Sequence, residues 1–340
     1  MPPREWIVNP RQRIGYHVWL DATTEIRGNP MLDSHIRHLL DTVFKAPPGT
    51  AQPDVAALRK AAEEAPKLLG GVPETLASVS DASTPGESCA IALRVYRLES
   101  ASALPLLLYA HGGGWVTGSL DSHDRLCRML ANRLPAVVVA VDYRCAPEHA
   151  YPAALDDFEA AWHWARAHAI ELGADGVRFV VAGDSSGGNL AAALTLRLRA
   201  GGTPQPDLQL LLYPALDATC SRASYREFAT GYNLAGAQMT WYWETYRAGT
   251  AIDAAELSPL VADDLSGLPV AVIAVAEYDV LRDDGVDYAR ALTAAGVRVR
   301  VVHCDGMIHG FLRWSGAVPA ARTWIDAITA ASRNALAGHV

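Results

Sequence analysis

A glycine-rich segment between a predicted strand and a predicted helix constrains the fold of this 340-residue chain more than any other feature. The sequence Gly-Asp-Ser-Ser-Gly-Gly occupies residues 183–188, after the apolar run 177–182 and before a helical pattern at 189–199. In a Gly-x-Ser-x-Gly turn, small residues let the chain pass tightly from strand to helix, which leaves the central serine exposed at the carboxyl end of the sheet. The segment therefore indicates Ser185 as a nucleophile. A solvated glycine-rich turn is the alternative when the motif is taken alone.

A second glycine-rich segment lies upstream, where the apolar run 104–110 ends in His-Gly-Gly-Gly-Trp at residues 111–115. Successive glycines offer backbone N–H groups that no side chain covers, which is what a tetrahedral oxyanion requires. The sequence leaves open which of these amides converge with that of Ser186, which begins the predicted helix. His111 is predicted to fix the loop by hydrogen bonding rather than to transfer protons.

The general base that a serine nucleophile needs is predicted to be His309. The chain has eleven histidines, and this one lies in the loop 305–311, beyond a predicted strand at 297–303. His303 is the rival, but it falls within the strand pattern and is better explained as a residue of the sheet.

The acid that orients the base is predicted to follow another buried strand, at residues 270–276. Asp279 is the candidate, because the turn after it can fix a carboxylate with backbone donors. Glu277 is the alternative. Asp283 and Asp284 are interpreted as first-turn residues of a helix, where the helix dipole favours negative charge.

These segments together resemble the hormone-sensitive lipase family of α/β-hydrolases, in particular the bacterial esterase branch with a Gly-Asp-Ser-Ala-Gly motif. The resemblance extends over about residues 75–335. Its other landmarks are Asp-Tyr-Arg-Cys-Ala-Pro-Glu-His at 142–149, Tyr-Pro-Ala-Ala at 151–154, Ser-Pro-Leu at 258–260, Asp-Val-Leu-Arg-Asp at 279–283 and His-Gly-Phe at 309–311.

The resemblance implies an α/β-hydrolase fold: a mostly parallel central sheet flanked by helices, with a helical cap. It also implies a catalytic triad in which Ser185 attacks the substrate, His309 acts as general base and Asp279 orients His309. No cofactor and no metal ion are needed for this chemistry.

The oxyanion hole implied by the resemblance consists of the amides of Gly113, Gly114 and Ser186, and Gly112 stays a candidate. One departure is visible, since Ser186 stands where the family more often has alanine. Because the donor is a backbone N–H, a serine at this position keeps it.

Two segments fit the catalytic core poorly and are predicted to form the cap: residues 1–50 and residues 218–250. The core then comprises residues 51–217 and 251–340. The second cap segment is rich in aromatic residues, which resemble the family's substrate-covering helices, although helix packing alone would also explain most of them. The candidate substrate contacts are Trp115, Asp184, Tyr232 and Trp241.

Two further elements are predicted from local patterns. Strands at 75–79 and 88–98 indicate an antiparallel start to the sheet. Asp54 is predicted to cap a helix that runs from Val55 to about Ala65 and ends at Pro66.

Composition narrows the partners and the compartment. The formal charge of −8 and the scarcity of lysine argue against a nucleic-acid surface. No apolar stretch is long enough for a secretory signal or a membrane span, so a cytoplasmic enzyme without stable membrane association is expected. Five scattered cysteines are expected to be reduced and structural.

The sequence thus predicts a serine carboxylesterase that acts on small-molecule esters of short to medium chain length. Amide, lactone or thioester hydrolysis remains open, because the same triad and oxyanion hole serve these substrates. A lipase acting at an oil–water interface and a non-catalytic small-molecule receptor of the same fold also remain open. A homodimer is suggested by the resemblance alone.

Overall fold

An eight-stranded sheet carries the fold in the computed structural model, which describes residues 31–44, 54–84, 90–100 and 102–339. The chain divides into two units, Met1–Met31 and Leu32–Val340. All of the helices and strands named below belong to the second unit. Most of the predicted first cap segment, residues 1–50, lies outside the described residues.

The strands follow the order β1-β2-β4-β3-β5-β6-β7-β8 across the sheet. At one end of the sheet, the pairings of β1 with β2 and of β2 with β4 are antiparallel. The remaining pairings are parallel. The predicted mostly parallel sheet with an antiparallel start is therefore confirmed. The strands are β1 Ser78–Thr84, β2 Ile91–Arg97, β3 Leu104–Ala110, β4 Val137–Asp142, β5 Ala174–Asp184, β6 Leu208–Leu212, β7 Val270–Tyr278 and β8 Val299–Ile308.

The first strand begins later than predicted. It spans Ser78–Thr84 instead of 75–79 and reads Ser-Val-Ser-Asp-Ala-Ser-Thr. This edge strand is polar and largely exposed, so it lacks the apolar alternation that marks a strand in a sequence. Its pairing with β2, from Ser78 opposite Arg97 to Thr84 opposite Ile91, defines its position.

Helices cover both faces of the sheet, which explains why its central strands are apolar along their whole length. Every residue of β3 and of β6 is buried. Along β3, Leu106 and Leu108 face one core, whereas Leu107 and Tyr109 face the other. The helices are α1 Ser34–Thr42, α2 Val55–Leu69, α3 Asp124–Arg133, α4 Ala153–Ala167, α5 Ser186–Ala200, α6 Ala223–Glu227, α7 Gly236–Arg247, α8 Arg282–Ala294 and α9 Ala320–Leu336.

Helix α2 does not end at Pro66 as predicted. Asp54 caps it as expected, since its carboxylate accepts the N–H groups of Ala56 at 2.9 Å and Ala57 at 3.3 Å. The helix then continues through Pro66 to Leu69. A proline removes one helical hydrogen bond, but here the last turn gains tertiary partners, because the carbonyl of Leu69 accepts the N–H groups of Gly316 and Ala317.

Candidate active site

The predicted nucleophile lies on the turn between β5 and α5. Ser185 has φ 56° and ψ −119°, a strained conformation for a residue other than glycine. The turn is also tight: a Cβ on Gly187 would lie 2.0 Å from the carbonyl oxygen of Ala110. The backbone N–H of Ser185 donates to the carbonyl of Leu212 at 2.8 Å, which ties the turn to the next strand. Strain and tethering hold the hydroxyl at the carboxyl end of the sheet.

The structure brings the three predicted triad residues together. His309 Nε2 lies 2.9 Å from Ser185 Oγ, and His309 Nδ1 lies 2.7 Å from Asp279 Oδ2. These residues follow three different strands, β5, β7 and β8, whose parallel arrangement places their carboxyl ends at one edge. A hydroxyl, an imidazole and a carboxylate connected in this order can generate an alkoxide nucleophile near neutral pH.

Local hydrogen bonds fix the orienting carboxylate. Asp279 is 1% exposed, and its Oδ1 accepts the N–H of Leu281 at 2.9 Å. This leaves Oδ2 for His309. The alternative acid, Glu277, accepts the N–H of Gly306 instead, at 2.8 Å. Glu277 therefore shapes the end of β8 and does not contact the imidazole ring.

The acidic pair at the start of α8 lies where the sequence predicted it, and it also holds neighbouring segments. Asp283 Oδ2 accepts the N–H of Ser224. Asp284 is fully buried, and its Oδ2 accepts the N–H groups of Leu216 and Asp217 at 2.9 and 3.1 Å. Burial raises the pKa of Asp284. Both residues thus connect the segment after β6 to α8.

The glycine loop after β3 corrects one prediction for the oxyanion hole. The N–H of Gly112 donates to Asp184 Oδ1 at 2.7 Å, so it is not available to a substrate oxygen. Gly113 and Gly114, with φ 127° and 62°, lie at the cavity beside Ser185. Ser186 is the first residue of α5, where the N–H has no intrahelical acceptor.

Asp184 holds neighbouring segments together by hydrogen bonds and is not the substrate contact that the sequence suggested. Its Oδ1 accepts the Tyr109 hydroxyl at 2.6 Å and the Gly112 amide, and it lies 3.3 Å from His123 Nε2. Burial disfavours its charge, but His123, Arg313 at longer range and these hydrogen bonds keep the pKa of Asp184 below its usual range. Asp184 borders the cavity, yet its carboxylate binds the glycine loop to the nucleophile turn.

His111 is buried and structural, as predicted. Its ring stacks on Tyr143 with centroids 4.2 Å apart, and its Nδ1 lies 2.9 Å from the carbonyl oxygen of Gly112, to which it can donate. Burial, together with the nearby His123, lowers the pKa of His111 to about 3. A histidine that stays neutral over the physiological range suits a fixed hydrogen-bond donor.

A cavity of about 250 Å³ opens beside Ser185 and His309. Its walls combine apolar and aromatic side chains with a comparable share of polar ones. A second, wider depression of about 560 Å³, lined by Thr219, Arg247 and Ala251 among others, contains no triad residue. Besides the catalytic segments, the described lining residues of the first cavity are Phe44, Leu58, Ala61, Ala62, Ala65, Thr117, Asn233, Leu234, Gln238, Met239, Tyr242, Arg313 and Trp314.

Three predicted substrate contacts lie outside the cavity wall that these residues form. Trp115 is fully buried and stacks on Tyr246 of α7 with centroids 4.4 Å apart, so it packs α7 against the loop after β3. Tyr232 stacks on Tyr278 at 5.4 Å. Trp241 packs beside its neighbour in α7. Aromatic density alone did not distinguish residues that pack from residues that face a ligand.

The sequence analysis missed two parts of the wall. Leu58, Ala61, Ala62 and Ala65 of α2 line the cavity at helical spacing, and the missed signal was this face of small and apolar residues on a capped helix. The second is Arg313, in the short 3₁₀ helix Phe311–Trp314. Its closeness in sequence to the His-Gly-Phe segment is the signal that could have found it.

Within the described ranges, no group of three or more His, Cys, Asp and Glu side chains is arranged to hold a metal ion. In the same ranges, none of the helices combines the length and the hydrophobicity needed to cross a bilayer. Cys127, Cys145, Cys220 and Cys304 are free thiols, and the fifth cysteine, Cys89, lies outside the described residues.

Comparison with known proteins agrees with this geometry. Residues 107–313 match the model of a protein family described as having the alpha/beta hydrolase fold. The chain is 40% identical over 319 residues to the carboxylic ester hydrolase LipN of Mycobacterium tuberculosis, covering 90% of this chain and 83% of LipN. It is 39% identical over 270 residues to the ethyl acetate hydrolase of Pseudomonas putida, covering 77% of this chain and 85% of that protein.

Solved structures show the same similarity in three dimensions. The ester hydrolase EH1AB1 from the metagenome of Lake Arreo superposes with a TM-score of 0.83 at 39% identity, over 88% of this chain and 98% of that chain. An esterase from Pyrobaculum calidifontis superposes with a TM-score of 0.83 at 37% identity, over 89% of this chain and 98% of that chain. The chain therefore belongs to the α/β-hydrolase fold family, in its hormone-sensitive lipase-like branch of esterases.

Proposed function

We propose that this protein is a serine carboxylesterase that hydrolyses small esters through an acyl-enzyme on Ser185. The observation that carries the proposal is the position of His309, with one ring nitrogen 2.9 Å from the serine hydroxyl and the other 2.7 Å from Asp279. The names of the relatives support the same reaction, since LipN and the Pseudomonas putida enzyme are named as hydrolases of carboxylic ester and of ethyl acetate.

In the first half of the reaction, Ser185 Oγ attacks the ester carbonyl carbon while His309 Nε2 accepts the hydroxyl proton. Asp279 keeps the other ring nitrogen protonated and stabilises the imidazolium. The tetrahedral oxyanion receives hydrogen bonds from the amides of Gly113, Gly114 and Ser186. The intermediate then collapses, the C–O bond to the alcohol breaks, and His309 returns the proton to the leaving oxygen.

In the second half, a water molecule attacks the acyl-enzyme. His309 accepts a proton from this water, and the same amides stabilise the second oxyanion. When the bond to Ser185 Oγ breaks, His309 donates its proton back to the serine. The carboxylic acid leaves and the hydroxyl is restored, so no cofactor enters the balance of the reaction.

The cavity supports a substrate of short to medium chain length. Its volume of about 250 Å³ is below the range of typical ligand pockets, and aliphatic and aromatic side chains such as Leu58, Met239 and Tyr242 form part of its wall. These dimensions favour a small ester over a long-chain lipid. Amide and lactone hydrolysis use the same machinery, and the assay of the proposed reaction distinguishes them.

Two finer features belong to the same proposal. We place the enzyme in the cytoplasm, in line with the sequence-based expectation. A homodimer through the edge strand β8 is also proposed, because β8 has a single strand neighbour among the described residues. Light scattering coupled to size exclusion would give twice the chain mass for the dimer and the mass of one chain for a monomer.

The test of the proposed reaction is p-nitrophenyl ester hydrolysis across acyl lengths, with wild-type protein and Ser185→Ala at equal folded concentration. We expect turnover in the wild type with an optimum at short or medium acyl chains, and a loss of about 10⁵-fold or more in the variant. Folded wild-type protein that hydrolyses amides or lactones but no ester would refute the substrate class. Absence of all turnover would favour a receptor.

A further inference from the structure

Arg313 places a positive charge in the wall of the active-site cavity. It lies four residues after His309 and lines the same cavity as Ser185. A Cβ built on Gly310 would lie 3.2 Å from Arg313 Nη2, so the guanidinium group is close to the backbone beside the catalytic histidine. The charge is therefore near the centre where the ester would react.

This guanidinium group has no hydrogen-bond or ion-pair partner among the described residues. Its Nε is buried and makes no hydrogen bond, and no carboxylate of the described ranges forms an ion pair with it. Other partly buried arginines are paired: Arg144 with Asp157 at 2.8 Å and Arg197 with Glu256 at 2.7 Å. Because a buried donor without an acceptor is costly, an unpaired arginine at a cavity indicates a site for an external acceptor.

The acidic residue that borders the same cavity forms neither a hydrogen bond nor an ion pair with Arg313. Asp184 Oδ1 accepts hydrogen bonds from Tyr109 and Gly112 and lies 3.3 Å from His123, and Arg313 acts on Asp184 only at longer range. Apart from Asp184, no Asp or Glu belongs to the described lining of the cavity. The wall thus combines apolar surface with one cation that has no carboxylate of its own within the described residues.

We propose that Arg313 binds a carboxylate carried by the substrate, so that the enzyme prefers half-esters of short dicarboxylic acids, or similar carboxylate-bearing esters, over neutral esters. This inference rests on the proposed ester hydrolysis. The planar guanidinium group can donate two parallel N–H groups to the two oxygens of one carboxylate. The apolar wall contacts the methylene groups between this carboxylate and the ester carbonyl.

A simpler role would be long-range electrostatic support of the protein itself. Arg313 contributes to the lowering of the pKa of Asp184 and also acts on that of Tyr242. In that role, its removal would change the hydrolysis of neutral and anionic esters to the same degree. The ratio of the two activities therefore separates substrate binding from internal support.

The test compares monoethyl glutarate with diethyl glutarate, which share the acyl chain but differ in charge. Initial rates of acid release in a pH-stat near neutral pH give kcat/KM for each ester. In Arg313→Met, we expect the ratio of kcat/KM for the half-ester to that for the diester to fall on the order of tenfold to a hundredfold, as for loss of a hydrogen bond to a charged group. Arg313→Lys keeps the positive charge but not the paired N–H donors of the guanidinium group, so its ratio should fall less.

Lys60→Met is the matched control, because it removes one positive charge from the exposed face of α2, where the Lys60 side chain is 76% exposed. Its ratio should equal that of the wild type. Equal changes for both esters in Arg313→Met, or an unchanged ratio, would overturn the anion site while leaving ester hydrolysis intact.

A second measurement does not depend on turnover or on the folding of an arginine variant. Calorimetry on Ser185→Ala should show tighter binding of monoethyl glutarate than of diethyl glutarate, with the difference reduced by added salt. Equal affinities would contradict the anion site. If neither ester is hydrolysed by the wild type but the half-ester binds preferentially to Ser185→Ala, the proposed reaction fails and the anion site stands.

Discussion

The catalytic centre and the wall of the cavity are built in different ways. The centre uses three strand ends of one sheet. Backbone hydrogen bonds fix two of its residues, Ser185 through Leu212 and Asp279 through Leu281, and the side chains of these two hold His309. The wall is assembled largely from α2 and α7, which are far apart in sequence and line the same cavity. Reactivity is therefore encoded in short local segments, whereas the shape of the cavity depends on tertiary contacts.

The largest effect should come from breaking the centre at its buried carboxylate. Asp279→Asn should lower kcat by about 10⁴-fold, because an amide does not favour the tautomer of His309 that can accept the serine proton. The matched control is Glu277→Gln, which alters a neighbouring carboxylate that binds Gly306 instead. It should change kcat only severalfold. Steady-state rates on p-nitrophenyl butyrate measure both, and a larger loss in Glu277→Gln would reverse the assignment of the acid.

Gly114 belongs to the predicted oxyanion hole and contacts Tyr242 of the cavity wall. A side chain at this position should therefore overlap Tyr242 and displace the oxyanion loop from the catalytic centre. A Cβ at Gly114 would lie 2.3 Å from the ring of Tyr242 in α7, and its φ of 62° disfavours alanine. We expect Gly114→Ala to lower kcat by about 10²- to 10³-fold, as for loss of an oxyanion donor.

Two further variants separate displacement of this loop from backbone strain. Tyr242→Ala combined with Gly114→Ala should recover part of the lost kcat, because the overlap with the ring is gone. Gly202→Ala tests strain alone, since Gly202 also has a positive φ, 63°, but a Cβ there has no atom within 4 Å. Its kcat should match that of the wild type. Failure of the double variant to recover any activity would mean that the conformation of Gly114, and not its contact with Tyr242, is what matters.

Substitutions in the cavity wall should change the preference for acyl chain length without abolishing ester hydrolysis. Ala62→Phe adds a ring to the cavity face of α2 and should reduce kcat/KM for longer acyl esters on the order of tenfold, while p-nitrophenyl acetate is affected much less. Ala56→Phe, on the exposed side of the same helix, is the control and should keep the chain-length profile. An equal loss for all chain lengths in Ala62→Phe would indicate that α2 supports the centre directly.

The smallest effect concerns Asp184, whose carboxylate connects the two glycine-rich segments, and it is an effect on stability. The folded-state pKa of Asp184 is depressed, so its ionisation stabilises the protein above the unfolded pKa, and this stabilisation declines as pH falls towards the folded pKa. The difference in unfolding free energy between wild type and Asp184→Asn should therefore be about 1 kcal/mol smaller near pH 3 than at pH 7. Urea unfolding at the two pH values measures it. A difference that does not depend on pH would mean that the carboxyl of Asp184 has the same pKa in the folded and unfolded states, and a larger difference at pH 3 than at pH 7 would mean that it is neutral in the folded state.

The contrast between the two regions also explains what the sequence could predict. Ser185, Asp279 and His309 follow apolar strands in short segments of special composition, so strand periodicity and the motifs placed them at one sheet edge. The sheet was predictable for the same reason, since fully buried strands such as Leu104–Ala110 appear as continuous apolar runs. The polar edge strand Ser78–Thr84 has no such signal, and its position was misjudged.

Residues whose role depends on a distant partner were not predictable. Gly112 looked equivalent to its neighbours, but the side chain of Asp184, 72 residues away, takes its amide. Trp115 looked like a substrate contact, but α7 supplies Tyr246 to cover it. Pro66 looked like a helix end, but the carbonyl of Leu69 has partners near residue 316 that favour one more turn. In each case a tertiary contact outweighed the local preference.

The most direct test of the central claim is to locate the covalent intermediate. A p-nitrophenyl alkylphosphonate reacts with an activated serine and leaves a stable adduct in place of the acyl group. Peptide mapping by mass spectrometry after this reaction should find one adduct, on Ser185, in the wild type and none in Ser185→Ala. An adduct on Ser186, or equal labelling of the wild type and the variant, would contradict the account of the nucleophile.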